Sequence, residues 1–165
     1  MTANQPECMR VGLRQRSASI TLKLRWDRSP RICKAVVEHL PIENQVWHAK
    51  YANNEIYTLV PAFDDPPPNE WLCAYPAPGD FMYIPIPPGV FLPPGAPPMD
   101  AERGVVDLAY FYDRASSLLH GPSGPAIGCI FATATSIEDI ERMAEACNDV
   151  WMGGAKGEAL YLETA

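Results

Sequence analysis

The 165-residue sequence predicts a β-rich α+β fold, six to eight strands with two short helices, built as a single domain. Three observations predict it. Apolar residues alternate with polar ones over several short runs, the period of a half-buried strand. Two segments carry apolar residues at helical spacing between clear start and stop signals. Strands and helices do not alternate as they would in a parallel βαβ sheet.

Taken in order, residues 1–18 read as a lead-in and residues 19–165 as the domain, with a proline-rich loop region at 61–98. Regular structure is expected from residue 19, where Ile20, Leu22, Leu24 and Trp26 alternate with Thr21, Lys23 and Arg25. Ser29-Pro30 supplies an N-cap followed by proline at the first helical position, and Ile32, Val36, Val37 and Leu40 form an apolar stripe that ends at Pro41. Residues 46–51 and 55–60 read as strands joined by Asn53-Asn54, a pair that tolerates a tight turn.

Twelve of the eighteen prolines fall between Pro66 and Pro98. Proline has no amide donor and a fixed φ, so most of this stretch must be loop or sheet edge, with room for strands at 70–75 and 80–84. Trp71, Leu72, Tyr75, Phe81, Met82, Tyr83 and Phe91 need packing partners, which favours ordered loops over a linker. Strands at 105–112 and 127–132 flank a loop that starts His120-Gly121-Pro122-Ser123-Gly124-Pro125. Thr135-Ser136-Ile137-Glu138 reads as a capping box for a helix through Met143, Cys147 and Val150, stopped by Gly153-Gly154. A short strand at 159–162 closes the chain.

Composition excludes several function classes. A formal charge of −7 with no basic patch argues against nucleic acid, and Arg10, Arg14, Arg16, Arg25 and Arg28 read as a solvated edge. No apolar run is long enough to span a bilayer and the start lacks a signal-peptide core, so no membrane partner and a cytoplasmic location are expected. Five cysteines, Cys8, Cys33, Cys73, Cys129 and Cys147, without CxxC spacing, read as reduced thiols. No metal site and no cofactor are expected.

The order of the pieces resembles the cyclophilin-like barrels of an uncharacterised bacterial family. The likeness is carried by a helix ending in HLP, the strand WHAKY, the segment NEIYTLVP, the turn APGDFMYIP, the strand LAYFYD, and the closing segment IGCIFATATSIEDIERMAEAC. It implies a closed cyclophilin-like β-barrel with a shallow pocket on the barrel or at its mouth, serving a small molecule. The peptidyl-prolyl isomerases of this fold carry an FHR-like motif on the strand after the first helix. Here Trp47-His48-Ala49-Lys50 puts alanine where the resemblance asks for arginine, and Lys50 falls on the opposite strand face. Prolyl isomerisation is therefore disfavoured.

Among the polar residues, His39 at a helix end suits a structural role beside the last carbonyls. His48 is the best acid–base candidate because imidazole titrates near neutral pH, with a core histidine as the competing reading. His120 opens a loop, where binding residues concentrate. Both are expected as catalytic residues, with Trp47, Lys50, Tyr83, Tyr110, Tyr112 and Arg114 as ligand-binding residues. Tyr110 and Tyr112 share one strand face and would offer two rings and two hydroxyls to a planar polar ligand, or else pack in the core. Asp80 in PGDF and Ser123 in GPSGP read as turn residues.

Two functions from different classes follow. One is an enzyme, an isomerase or hydrolase acting on a small amide, lactam or carboxylate, with His48 or His120 as proton carrier and Lys50 or Arg114 as anion anchor. The other is a non-catalytic binding or assembly protein, a homo-oligomer whose rigid proline loops and apolar Phe91 and Leu92 supply contact area.

Overall fold

The computed structural model describes residues 5–121 and 123–165. Ten strands and two helices follow one another: β1 (Cys8–Leu13), β2 (Ala18–Leu24), α1 (Pro30–Glu38), β3 (Ile42–Gln45), β4 (Trp47–His48), β5 (Glu55–Pro61), β6 (Leu72–Cys73), β7 (Asp80–Ile86), β8 (Val105–Phe111), β9 (Gly128–Ala134), α2 (Ile137–Gly153) and β10 (Ala159–Thr164). All the pairings are antiparallel, in the order β3-β10-β1-β2-β9-β7-β8-β5-β4, with β6 beside β9. The β-rich α+β expectation is met, with more strands than expected.

The lead-in expectation is corrected. Residues 8–13 form β1, which pairs with both β2 and β10. Its Met9, Val11 and Leu13 are fully buried at period two. Gly12 interrupts the pattern because the Tyr161 ring lies over it: a Cβ there would come 2.6 Å from Tyr161 and from Ala18 O.

The ladder does not run round as a closed barrel. No backbone pairing joins β3 to β4 or β5 among the described residues. The two ends of the hydrogen-bonded path are instead joined by the chain itself, since Val46 alone separates β3 from β4. Thr58 Oγ1 donates to Gln45 O across this seam at 2.9 Å, and Val46 N donates to Glu158 O at 3.1 Å.

The curled sheet has two covered faces. On the inner face Leu22, Ile56, Phe81, Tyr83, Leu108, Tyr110 and Phe131 pack against Ile32, Cys33 and Val36 of α1 and Met143, Cys147 and Val150 of α2. On the outer face Met82, Ile84, Ala109, Phe111 and Ile130 pack with Ala52 and Leu118 beneath Cys73 of β6 and the loops that carry Trp71 and Ala126. All seven residues of β8 are buried, because both of its faces are covered.

Local chemistry explains the remaining boundaries. Ser29 is the N-cap residue of α1, but its hydroxyl donates to Ile130 O at 2.6 Å rather than capping. The helix start is capped from the proline-rich region, where the Glu70 carboxylate accepts from Arg31 N and Ile32 N, each at 3.0 Å. The cap of α2 lies one residue beyond the expected box, with Ser136 Oγ accepting from Asp139 N at 3.2 Å. The strand expected at 70–75 shrinks to β6, and β7 extends through Pro85, where only β8 still pairs with it. No helix among the described residues is long and apolar enough to cross a membrane.

Candidate functional site

Strand alternation splits the WHAK segment between the two sheet faces. Trp47 lies opposite Tyr57, with ring centroids 5.8 Å apart, on the outer side. His48 lies opposite Ile56 and turns toward Tyr112 and α2. Its Nδ1 stands 2.8 Å from Ala49 O, which can only accept, so Nδ1 carries the proton. Nε2 is then the acceptor, and Tyr112 O–H donates to it at 2.7 Å. Burial holds the His48 pKa below its usual value, against the opposing bond to Ala49 O, so the ring is neutral at pH 7. Burial also pushes the Tyr112 hydroxyl up to about 12. The half-exposed indole of Trp151, 4.7 Å from the imidazole, forms the solvent side of this pair. The arrangement is a phenol hydrogen-bonded to an imidazole that is held in one tautomer.

Two loops next to the pair are tied together. Asn54 Nδ2 donates to Arg114 O at 2.6 Å, Asn53 Nδ2 to Ala115 O at 2.7 Å, and Tyr112 N to Asn54 O at 3.0 Å. Lys50 and Arg114 are exposed on these loops. His48 and Tyr112 are thus joined directly, and Lys50 and Arg114 each follow two residues later in the chain, on the adjoining loops.

Other expected site residues lie elsewhere. Tyr83 and Tyr110 point into the inner core, where Tyr83 packs on Phe63 and Tyr110 on Phe81. The expectation of two tyrosine hydroxyls facing one ligand is corrected, because the helices fill the space inside the sheet and leave Tyr110 fully buried. His120 is exposed in its loop and makes no hydrogen bond among the described residues, and Pro122 of the HGPSGP run lies outside them. Asp80 closes its turn, its Oδ2 accepting from Ala77 N at 2.8 Å. His39 Nδ1 donates to Ala35 O at 2.7 Å while its ring stacks on Phe63 at 4.0 Å. That stack forms one wall of a shallow cleft of about 470 Å³ that also includes Pro41, Glu43, Val60 and Asp64.

Sequence reasoning missed a pair of acids. Glu55 and Asp107 are 3% and 8% exposed, and strand parity puts both on the outer face with Tyr57, Ala109 and Phe111. Tyr57 sits between Glu55 and Leu59 on β5, and Asp107 lies opposite Leu59 on β8. Asp107 Oδ1 is buried with no hydrogen-bond partner among the described residues. Burial pushes Glu55 up to about 8, and burial together with the Glu55 charge raises Asp107 well above the carboxylate range. Burial and both acids raise the Tyr57 hydroxyl as well. The signal in the sequence was Asp107 interrupting the apolar run VVDLAYF, and Glu55 sharing the parity of Tyr57 and Leu59.

All five cysteines are unpaired. Burial raises the pKa of Cys33, Cys129 and Cys147, that of Cys33 to about 12, so these three are inert thiols at neutral pH. Among the described residues no three His, Cys, Asp or Glu side chains converge as a metal site.

Fold and site together define a β-rich protein with a curled antiparallel sheet and two packed helices. The chain belongs to the family described as "protein of unknown function (DUF3830)", which it matches over residues 11–162. Among curated proteins, none matches it. Its fold is similar to that of a solved structure described as McbB in complex with tryptophan, with a TM-score of 0.62 at 13% identity. That match covers 94% of this chain and 44% of the other, so the chain spans less than half the length of McbB.

Proposed function

We propose that the protein binds a small polar metabolite, an amide, lactam or carboxylate, at the His48–Tyr112 end of a sheet curled like a cyclophilin barrel. There it acts as an isomerase or hydrolase with His48 as the proton carrier. The observation that carries this reading is the neutral, half-buried imidazole fixed in one tautomer by Ala49 O and hydrogen-bonded to Tyr112 O–H. Lys50 and Arg114, exposed on the two tied loops, serve as anchors for an anionic group. The capture of tryptophan by McbB supports the capacity of this fold to hold a small organic molecule. The unpaired thiols suit a cytoplasmic setting.

A thermal-shift screen against small amides, lactams and mono- and dicarboxylates tests this. A ligand at a hundred times its Kd stabilises the folded chain by about 2.7 kcal/mol. The expected result is a saturable rise in Tm that disappears in His48→Ala and is reduced in Tyr112→Phe. A shift that survives His48→Ala, or no shift across the panel, would refute the reading.

The second reading is a non-catalytic assembly protein, and the exposure of Phe91 on a proline-rich loop favours it: the side chain is 78% exposed. Prolyl isomerisation stays last. Ala49 leaves the outer face without the arginine of the resemblance, and this face holds two buried acids instead.

A further inference from the structure

We propose that the outer face of the sheet binds, at its β4 edge beside the half-buried Trp47–Tyr57 pair, an organic cation, a primary ammonium or amidinium group on a small apolar body, drawn there by the buried carboxyls of Asp107 and Glu55. This goes beyond the His48 reading and rests on different residues.

Four observations converge on it. Asp107 is 8% exposed and its Oδ1 has no partner among the described residues, so it lacks the donor that a buried carboxyl requires. Glu55, 3% exposed, lies on the same face, and among the described residues no basic side chain acts on either acid. Burial disfavours the ionised form of both acids unless a compensating charge joins them. An ammonium or amidinium supplies both the missing positive charge and the missing N–H donors.

The third observation is the neighbouring aromatic pair. Trp47 and Tyr57 stack at 5.8 Å on the same face and present ring surfaces of the kind that attract organic cations. The fourth is access. Both rings are only half-buried, so the face opens to solvent at the β4 end while Asp107 lies deeper, opposite Leu59. The apolar body lies against these two rings, because Met82, Ile84, Ala109 and Ile130 further along the face are buried beneath the loops. A divalent metal fits poorly, because no third ligand joins the two acids among the described residues. An anion is repelled by both.

Calorimetric titration of the full chain with phenethylammonium, and with 2-phenylethanol and phenylacetate as its neutral and anionic counterparts, tests the proposal. The expected result is saturable binding of the amine with a Kd of about 1 mM or below, and at least tenfold weaker binding of the other two. Asp107→Asn and Glu55→Gln keep the shape and remove the charge, and each is expected to weaken amine binding by about tenfold or more. Trp47→Leu, on the half-buried wall, is expected to weaken it about two- to fivefold. Glu145→Gln, an exposed acid on α2, is expected to leave it unchanged. Equal binding of the three probes, no saturable binding of the amine, or an affinity unchanged in both Asp107→Asn and Trp47→Leu would overturn the proposal.

Discussion

At the scale of single residues, Glu55 gives the molecule a pH dependence whose sign is fixed by burial. Its pKa rises from 4.5 to about 8 on folding because desolvation disfavours the charged form. Well below pH 4.5 the carboxyl is protonated in both the folded and the unfolded chain, and its contribution is constant. Between 4.5 and about 8 the unfolded chain binds fewer protons than the folded one, so stability falls as pH rises, by up to about 1.4 kcal/mol per unit. Glu55→Gln removes this loss. Its Tm is expected to match that of the parent near pH 4 and to exceed it by a growing margin up to pH 8, measured by thermal unfolding across that range. Parallel curves for the two proteins would show that Glu55 is hydrated in the folded state. The Asp107 carboxyl adds a dependence of the same sign.

At the scale of elements, the proline-rich region is held from both sides. Glu70 caps α1 through Arg31 N and Ile32 N, while its own N–H donates to Cys129 Sγ at 3.3 Å. Helix α1 has no acid in its first turn, so Glu70 also supplies the negative charge that the positive end of the helix dipole favours. Glu70→Ala is expected to cost about 1 kcal/mol of stability and to speed hydrogen exchange at Arg31 and Ile32, read by native-state exchange. Unchanged exchange there would mean that α1 does not depend on this cap. The cap was not legible in the sequence, because it joins residues that only the folded sheet brings together.

What was legible follows from local periodicity. The alternation from Ile20 to Leu24, the proline start of α1 and the apolar stripe of α2 each state their element within a few residues. β1 was hidden by Gly12, whose missing side chain makes room for Tyr161 from the far end of the chain. His48 was found as a candidate because histidine is chemically conspicuous, and its bond to Tyr112 joins β4 to the end of β8. The acids were overlooked because each reads locally as a polar interruption, and only strand register puts them on one face.

At the scale of the whole molecule, the exposed apolar side chains bear on assembly. Tyr75, Phe91 and Met152 are 66%, 78% and 75% exposed, so apolar surface lies on the loops and on the last turn of α2. If these surfaces join copies of the chain, Phe91→Ser lowers the mass seen by light scattering at high concentration, while at low concentration, where the copies are apart, its Tm equals that of the parent, since the side chain supports no core. An unchanged mass in the parent across a concentration series would set the assembly reading aside.

The seam at Val46 also limits the form such an assembly takes. A free strand edge offers a row of unmatched amides and carbonyls onto which another chain can crystallise its own strand, the first step of fibrous aggregation. Here the two ends of the sheet are consecutive in the chain and lie against each other, with Gln45 O already taken by Thr58. Recruitment of a neighbour by strand addition is thereby discouraged where an open sheet would be most exposed to it, and a second copy has to dock through side chains on the loops.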